Sequence, residues 1–251
     1  MSRRARCRLM LAAAAALLAF YVWGVAGLPS FGHYHGPYGT TINHVVSAER
    51  QVTNAVSALV FDYRGFDTLG EELILFIAVV GVVALVREQR DEEARVALDA
   101  ERAERAPRDS DATRTLGVAM VAATLLVGLY IVAHGNLTPG GGFQGGVILG
   151  GALLVVYFAG DFLALAQLRP ATWMDRLHAA GAAGLVLIAL GGMLAGGAFF
   201  HNFLSTGTSG QINSGGIIEP GNVAVGVEVL GAVLVLGAEF LHEAVLYRRP
   251  S

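Results

Sequence analysis

Residues 116–146 read LGVAMVAATLLVGLYIVAHGNLTPGGGFQGG. The first part, Leu116–Ala133, is an unbroken apolar run. A bilayer core of about 30 Å takes roughly 20 such residues as helix. Pro139 and six glycines then break the run, and a second apolar stretch, Gly145–Ala166, follows with Asp161 near its end. Two apolar spans joined by a short turn make a membrane hairpin. The rest of the chain can be read outward from it.

Composition agrees with that reading. Hydrophobic residues make up 54% of the 251 residues and charged residues only 15%, against roughly 25% charged in soluble domains. The formal net charge of −3 gives no electrostatic footprint for nucleic acid. The single cysteine, Cys7, excludes a disulfide framework or a cysteine metal site within the chain. Further spans are expected at Leu9–Leu28, at the short run Leu73–Val86, at His178–Phe200 and at Val223–Leu241. The expected fold is therefore all-α, a polytopic membrane protein with about six transmembrane helices. The first, behind Arg3, Arg4, Arg6 and Arg8, is longer than a usual signal-peptide core and reads as an anchor.

Orientation follows from arginine, because the chain has no lysine. With both termini inside, only Arg50 and Arg64 fall in outer segments. The positive-inside rule selects N-in and C-in. Residues 91–112 lie in a stretch of mixed charges that reads as a cytoplasmic linker. It divides a two-helix module at 1–90, with an amphipathic outer helix over 42–64, from a four-helix module at 113–251.

Two motifs bear on chemistry. The run Leu73–Val86 is only fourteen residues long, so a full span must begin near Thr68 and bring Glu71 and Glu72 to the membrane edge. Asp67 and Glu71 then share a face at i,i+4 spacing. Carboxylates at membrane depth suit sodium or protons. The structural alternative is a capping box, Thr68-x-x-Glu71, with acids favouring the helix dipole. Asp62 lies just ahead of this group, and Glu228 lies about a turn and a half inside the last span as another intramembrane acid. The other motif is the turn Gly135, Asn136, Pro139, Gly140, Gly141, Gly142, Phe143, Gln144, Gly145 and Gly146. It either lets a neighbouring helix pack closely or presents backbone groups to an ion. Asp161, Glu239 and His242 fall near inner helix ends and are expected to snorkel to water. The GxSG string at Gly207–Gly210 sits in a polar outer loop, away from a histidine partner, so the chain is not read as an enzyme. Neither a metal site nor a cofactor is expected.

The segment TLGVAMVAATLLVGLYIVAHGNLTPGGGFQGGVILGGALLVVYFAGD resembles the B subunit of Mrp-type sodium/proton antiporters, the MnhB family, over roughly residues 113–249. HGNLTPGGGFQGG at 134–146 is its most specific part, with one residue more than the common NLPGGGFQGG form. NAVSALVFDYRGFDTLGEELILFIAVVGVVALV resembles the E subunit of membrane-bound hydrogenases and the matching C-terminal part of the antiporter's large A subunit, over roughly 9–90. This implies a fusion of two small subunits in a multi-subunit, complex-I-related assembly in a prokaryotic cell membrane. Its partners would be large proton-channel-like subunits, other small membrane subunits and the lipid bilayer, with no nucleic acid. The resemblance implies cation handling at Asp62, Asp67 and Glu71, with Glu72 and Glu228 as further candidates on the sodium pathway. Because the large subunits rely on buried lysines that this chain lacks, it is not expected to exchange ions alone. A scaffold role, or a place in a redox-driven pump, is the alternative.

Overall fold

The computed structural model describes residues 3–28, 36–86, 111–158 and 171–247, and all regular structure among them is helical. The helices are α1 (Arg3–Ala26), α2 (Pro37–Arg50), the short α3 (Ala55–Ala58) and α4 (Gly65–Val86), then α5 (Asp111–Ala133), α6 (Gly142–Phe158), α7 (Ala171–Leu194) and α8 (Ile218–Tyr247). A π-helical turn, Leu59–Tyr63, joins α3 to α4. The chain forms two compact units, Met1–Thr41 and Ile42–Ser251.

Four stretches are long and apolar enough to cross a membrane: Gly65–Leu85, Thr115–Ala133, Trp173–Leu194 and Ile218–Phe240. The apolar part of α1, Met10–Ala26, is shorter, and α6 has 17 described residues. The charged linker and Asp161 lie outside the described residues.

In the second unit α8 is the axis, packed on α7, α6 and α4. Lipid is as apolar as leucine, so helices inside a bilayer are held by close packing rather than by escape from water. Small residues supply that packing here. A Cβ at Gly181 on α7 would overlap the backbone of Glu228 on α8, and one at Gly231 would overlap the backbone of His178. On the other side, Gly146 of α6 faces the carbonyl of Gly226 and the side chain of Val229. Gly145 packs α6 against Val132 and Gly128 of α5, closing the hairpin.

The expected amphipathic helix over 42–64 is not continuous. α2 starts earlier, at Pro37, whose fixed φ and missing N–H suit a first helical turn. The chain leaves the helix at Gln51, where φ is 57°. Val52 then inserts fully buried against the loop before α8, and Asn54 caps α3 through the N–H groups of Val56 and Ser57. Ile42, Val46, Val52 and Phe61 belong to the buried core with Leu185, Ile217, Ile218 and Val225. This segment is therefore a lid built into the bundle's core, not a free surface helix.

The capping-box reading of Thr68 is also corrected. α4 begins at Gly65, so Thr68 is already inside it. Its hydroxyl donates to the Val60 carbonyl at 2.6 Å, within the π-helical turn. Glu239, expected to snorkel, is instead 2% exposed.

Candidate functional site

α4 buries Thr68, Glu72 and Val79, with half-buried Leu75 between them. This spacing of three or four residues is one helical stripe, and α8 packs against α4. Glu72 therefore faces the bundle while Asp67 and Glu71 remain exposed. Asp67 pairs with Arg64 on the surface. Asp67 and Glu71 do not form a joint site.

A cavity of about 330 Å³ opens where α4 meets the glycine-rich turn. Glu71 and Glu72 line it from α4, and Gly140, Gly141, Gly142, Phe143 and Gln144 line it from the turn and the start of α6. Ser57, Thr68 and Asn222 complete its polar lining. The two motifs, about 70 residues apart in sequence, thus share one cavity.

The turn owes its shape to backbone freedom and to buried polar anchors. Gly140 and Gly141 have φ of 146° and 152°, which L side chains rarely adopt. A Cβ on Gly142 would overlap the Asn222 backbone. Asn222 is fully buried; its Oδ1 accepts the Gly142 N–H at 3.0 Å, and its Nδ2 donates to Ser57 Oγ at 2.9 Å and to the Ile218 carbonyl. Gly135 lies against the same amide. Asn136, also fully buried, points its Nδ2 at the Ser214 carbonyl, 2.9 Å away. Asn54 Nδ2 donates to the carbonyls of Gly135 and Thr138, at 2.7 and 2.9 Å. Pro139 follows within the turn rather than ending a helix, since α5 has already stopped at Ala133.

Asp62 stands apart from the cavity. Its carboxylate meets Arg50 Nε at 2.5 Å and accepts from Asn202 Nδ2 at 2.7 Å. Asn202 also holds the Gly215 carbonyl and the Ile217 N–H. Asp62 thereby ties the lid to the loop before α8. Beside it, the Tyr63 hydroxyl donates to Glu49 at 2.9 Å, and Arg50 lies over the Tyr63 ring. Partial burial, then the Glu49 hydrogen bond, push the Tyr63 hydroxyl up to about 12.

Glu228 is fully buried, and neither carboxylate oxygen has a hydrogen-bond partner. It lies close enough to Glu72 for their charges to interact. Asn222 and His178 are buried polar groups that sequence reasoning missed. The signal for each was a polar residue inside an apolar helical run, Asn222 two residues after Pro220 and His178 ahead of an alanine- and glycine-rich stretch.

Residues 112–235 match the family described as a domain related to the MnhB subunit of Na+/H+ antiporters. Residues 3–103 match the family described as the E subunit of MBH. An uncharacterized protein of Methanocaldococcus jannaschii, MJ1307, is 30% identical over 243 residues, covering 87% of this chain and 88% of its own length. A probable K+/H+ antiporter A/B subunit of Rhizobium meliloti is 30% identical over 141 residues, which are 49% of this chain but 14% of that protein. Among solved structures, a chain of the membrane-bound sulfane sulfur reductase, an archaeal respiratory membrane complex, superposes with a TM-score of 0.69 at 30% identity, covering 96% of this chain and 99% of that one. A chain of the Mrp complex of Dietzia sp. DQ12-45-1b shares the fold, with a TM-score of 0.65 at 22% identity, covering 94% of this chain and 26% of that one. With the glycine turn and the α4 acids in one cavity and both family matches in one chain, the protein belongs to the MnhB-related family of antiporter subunits and carries an MBH E-type domain ahead of its MnhB domain.

Proposed function

We propose that this chain is a membrane subunit of an Mrp-like cation/proton antiporter and forms part of its sodium route. The observation that carries the reading is the cavity lined together by Glu71, Glu72 and the Gly140–Gly142 turn. Carboxylate oxygens and backbone at a broken helix end are the groups that transporters use for sodium, and intramembrane acids are costly unless they serve a function. The cavity opens toward the outer side if both termini lie inside, as the arginine distribution supports. Six spans, two fused modules joined at 91–112 and residence in a prokaryotic cell membrane belong to the same proposal. Ion exchange requires the large partner subunits, and Glu228 extends the acidic path inward.

The test is transport by the assembled complex in liposomes. Glu71→Gln plus Glu72→Gln should abolish sodium-dependent exchange while the complex still assembles. Full exchange in that variant would leave the chain a scaffold.

A second reading, as part of a redox-driven membrane complex, is favoured by the full-length match to the sulfane sulfur reductase chain. Mass spectrometry of the particle purified in mild detergent separates the two. Large antiporter-like subunits without iron–sulfur or nickel proteins support the first, and redox subunits in the particle support the second.

A further inference from the structure

Beyond the cavity, the seam between α4, α7 and α8 holds a second set of ionisable groups. Glu72 from α4, His178 from α7 and Glu228 from α8 are each at most 4% exposed. Gly181 and Gly231 bring α7 and α8 into backbone contact at this level. His178 stacks on Phe76, one turn along α4 from Glu72, with ring centroids 4.8 Å apart. Its Nδ1 lies 3.2 Å from the Glu228 carbonyl oxygen. A carbonyl only accepts, so Nδ1 carries the hydrogen. Nε2 is then the basic atom of the ring when it is neutral, and it is buried without a partner.

We infer that Glu228 and His178 form a proton relay leading from the cavity, so that protons pass beyond Glu72 while sodium does not. The inference rests on the antiporter reading above and names the ion that each part of the path accepts. A dehydrated sodium ion needs a shell of oxygen ligands. The neighbouring positions on the buried face of α8 are Val225, Val229 and Ala232, and the nearby imidazole offers nitrogen. Among the described residues no three His, Cys, Asp or Glu side chains converge as a metal site. A proton needs only a lone pair. Glu72, as the acid, gives its proton to the Glu228 carboxylate; Glu228 then gives a proton to Nε2 of His178, and the imidazolium releases it inward. No electrons move, and each donor is left ready for the next proton. Glu239, three turns further along α8, is the next acid on that helix. Asp175 and Arg176 are the remaining charged groups on this end of α7.

The intact complex in liposomes tests this with two readouts. Isotope exchange of sodium for sodium at equal pH needs the cavity but no net proton movement. Sodium uptake driven by a pH gradient needs both. Glu228→Gln and His178→Gln should each slow gradient-driven uptake about a hundredfold, as loss of a proton-transfer group does, and leave isotope exchange within about twofold of the parent. Glu228→Asp keeps a titratable carboxyl and should retain measurable gradient-driven uptake. Gradient-driven uptake unchanged in both glutamine variants would overturn the relay, and so would a matching loss of isotope exchange. An Asp variant as inactive as the Gln variant would also overturn it, assigning Glu228 to packing. Loss of isotope exchange in Glu72→Gln reports on the cavity separately, so failure of the sodium route and failure of the relay are distinct results.

Discussion

Asn222 Oδ1 accepts the backbone N–H of Gly142 at 3.0 Å, across 80 residues of sequence. The same amide donates to Ser57 Oγ at 2.9 Å. One fully buried side chain therefore holds the first residue of α6 and the lid on α8, setting one wall of the cavity. Asn222→Ala leaves the Gly142 N–H without its acceptor, and an orphaned buried group costs about 1–3 kcal/mol. The expected outcome is a lower unfolding temperature of the detergent-purified complex, together with slower sodium exchange. Unchanged stability would mean that water replaces the amide.

Glycine positions along the helices should separate into two kinds. Gly142→Ala sets a Cβ into the Asn222 backbone, where neither side chain nor rotamer can yield. Overpacking of this type costs about 1–3 kcal/mol and often more. Gly151→Ala, on the same helix, meets nothing within 4 Å. Yield of assembled complex should fall for the first variant and stay at the parent level for the second.

The acids of the α4 motif are not equivalent. Asp67 is exposed and paired with Arg64, and a surface pair of that kind is worth about 0–1 kcal/mol. Asp67→Asn should leave transport within about twofold of the parent, whereas Glu72→Gln should reduce it about tenfold or more. Ion flux measured on matched amounts of complex decides, and equal losses would return Asp67 to the route.

Asp62 joins Arg50 and Asn202, linking the lid to the loop before α8. Asp62→Ala removes the carboxylate from a side chain that is only 6% exposed. Arg50 keeps some contact with water, so the loss should fall near the low end of the about 3–5 kcal/mol seen for broken buried pairs. Hydrogen exchange over residues 49–63 should quicken, with little change in α5 or α6.

The hydroxyl of Tyr63 ionises at about 12 against an ordinary value of 10. The folded chain therefore holds this proton where the unfolded chain has released it. The resulting stabilisation is complete below pH 10 and is lost as pH rises through 12. In the difference between parent and Tyr63→Phe, tyrosinate absorbance should appear near pH 12; a step near pH 10 would mean the Glu49 hydrogen bond is not kept.

Much of the site was legible in the sequence, though not its arrangement. The glycine-rich turn and the acids of the α4 segment stand out because polar or flexible residues interrupt long apolar runs, where they carry a cost. Which acid faces inward did not. An i,i+4 count groups Asp67 with Glu71, but the buried face of α4 is set by its neighbour α8, which selects Thr68, Glu72 and Val79. The lid over 42–63 read as one amphipathic helix because its apolar spacing is nearly continuous. The break at Gln51 and the insertion of Val52 depend on the loop around Gly215, distant in sequence.

The sequence by itself determined the class of protein, the apolar helices, their arginine-based orientation as an expectation and the two motifs. All of these depend on local composition and on the uniform thickness of the bilayer, which each segment meets alone. Only the tertiary structure decided that the motifs share a cavity, that Glu72 rather than Asp67 faces it, and that Asn222 and His178 join them. Those facts depend on which helix surfaces approach closely. In a bilayer that choice is made by complementary glycine-backbone contacts such as Gly181 with Glu228, between residues that no local pattern connects.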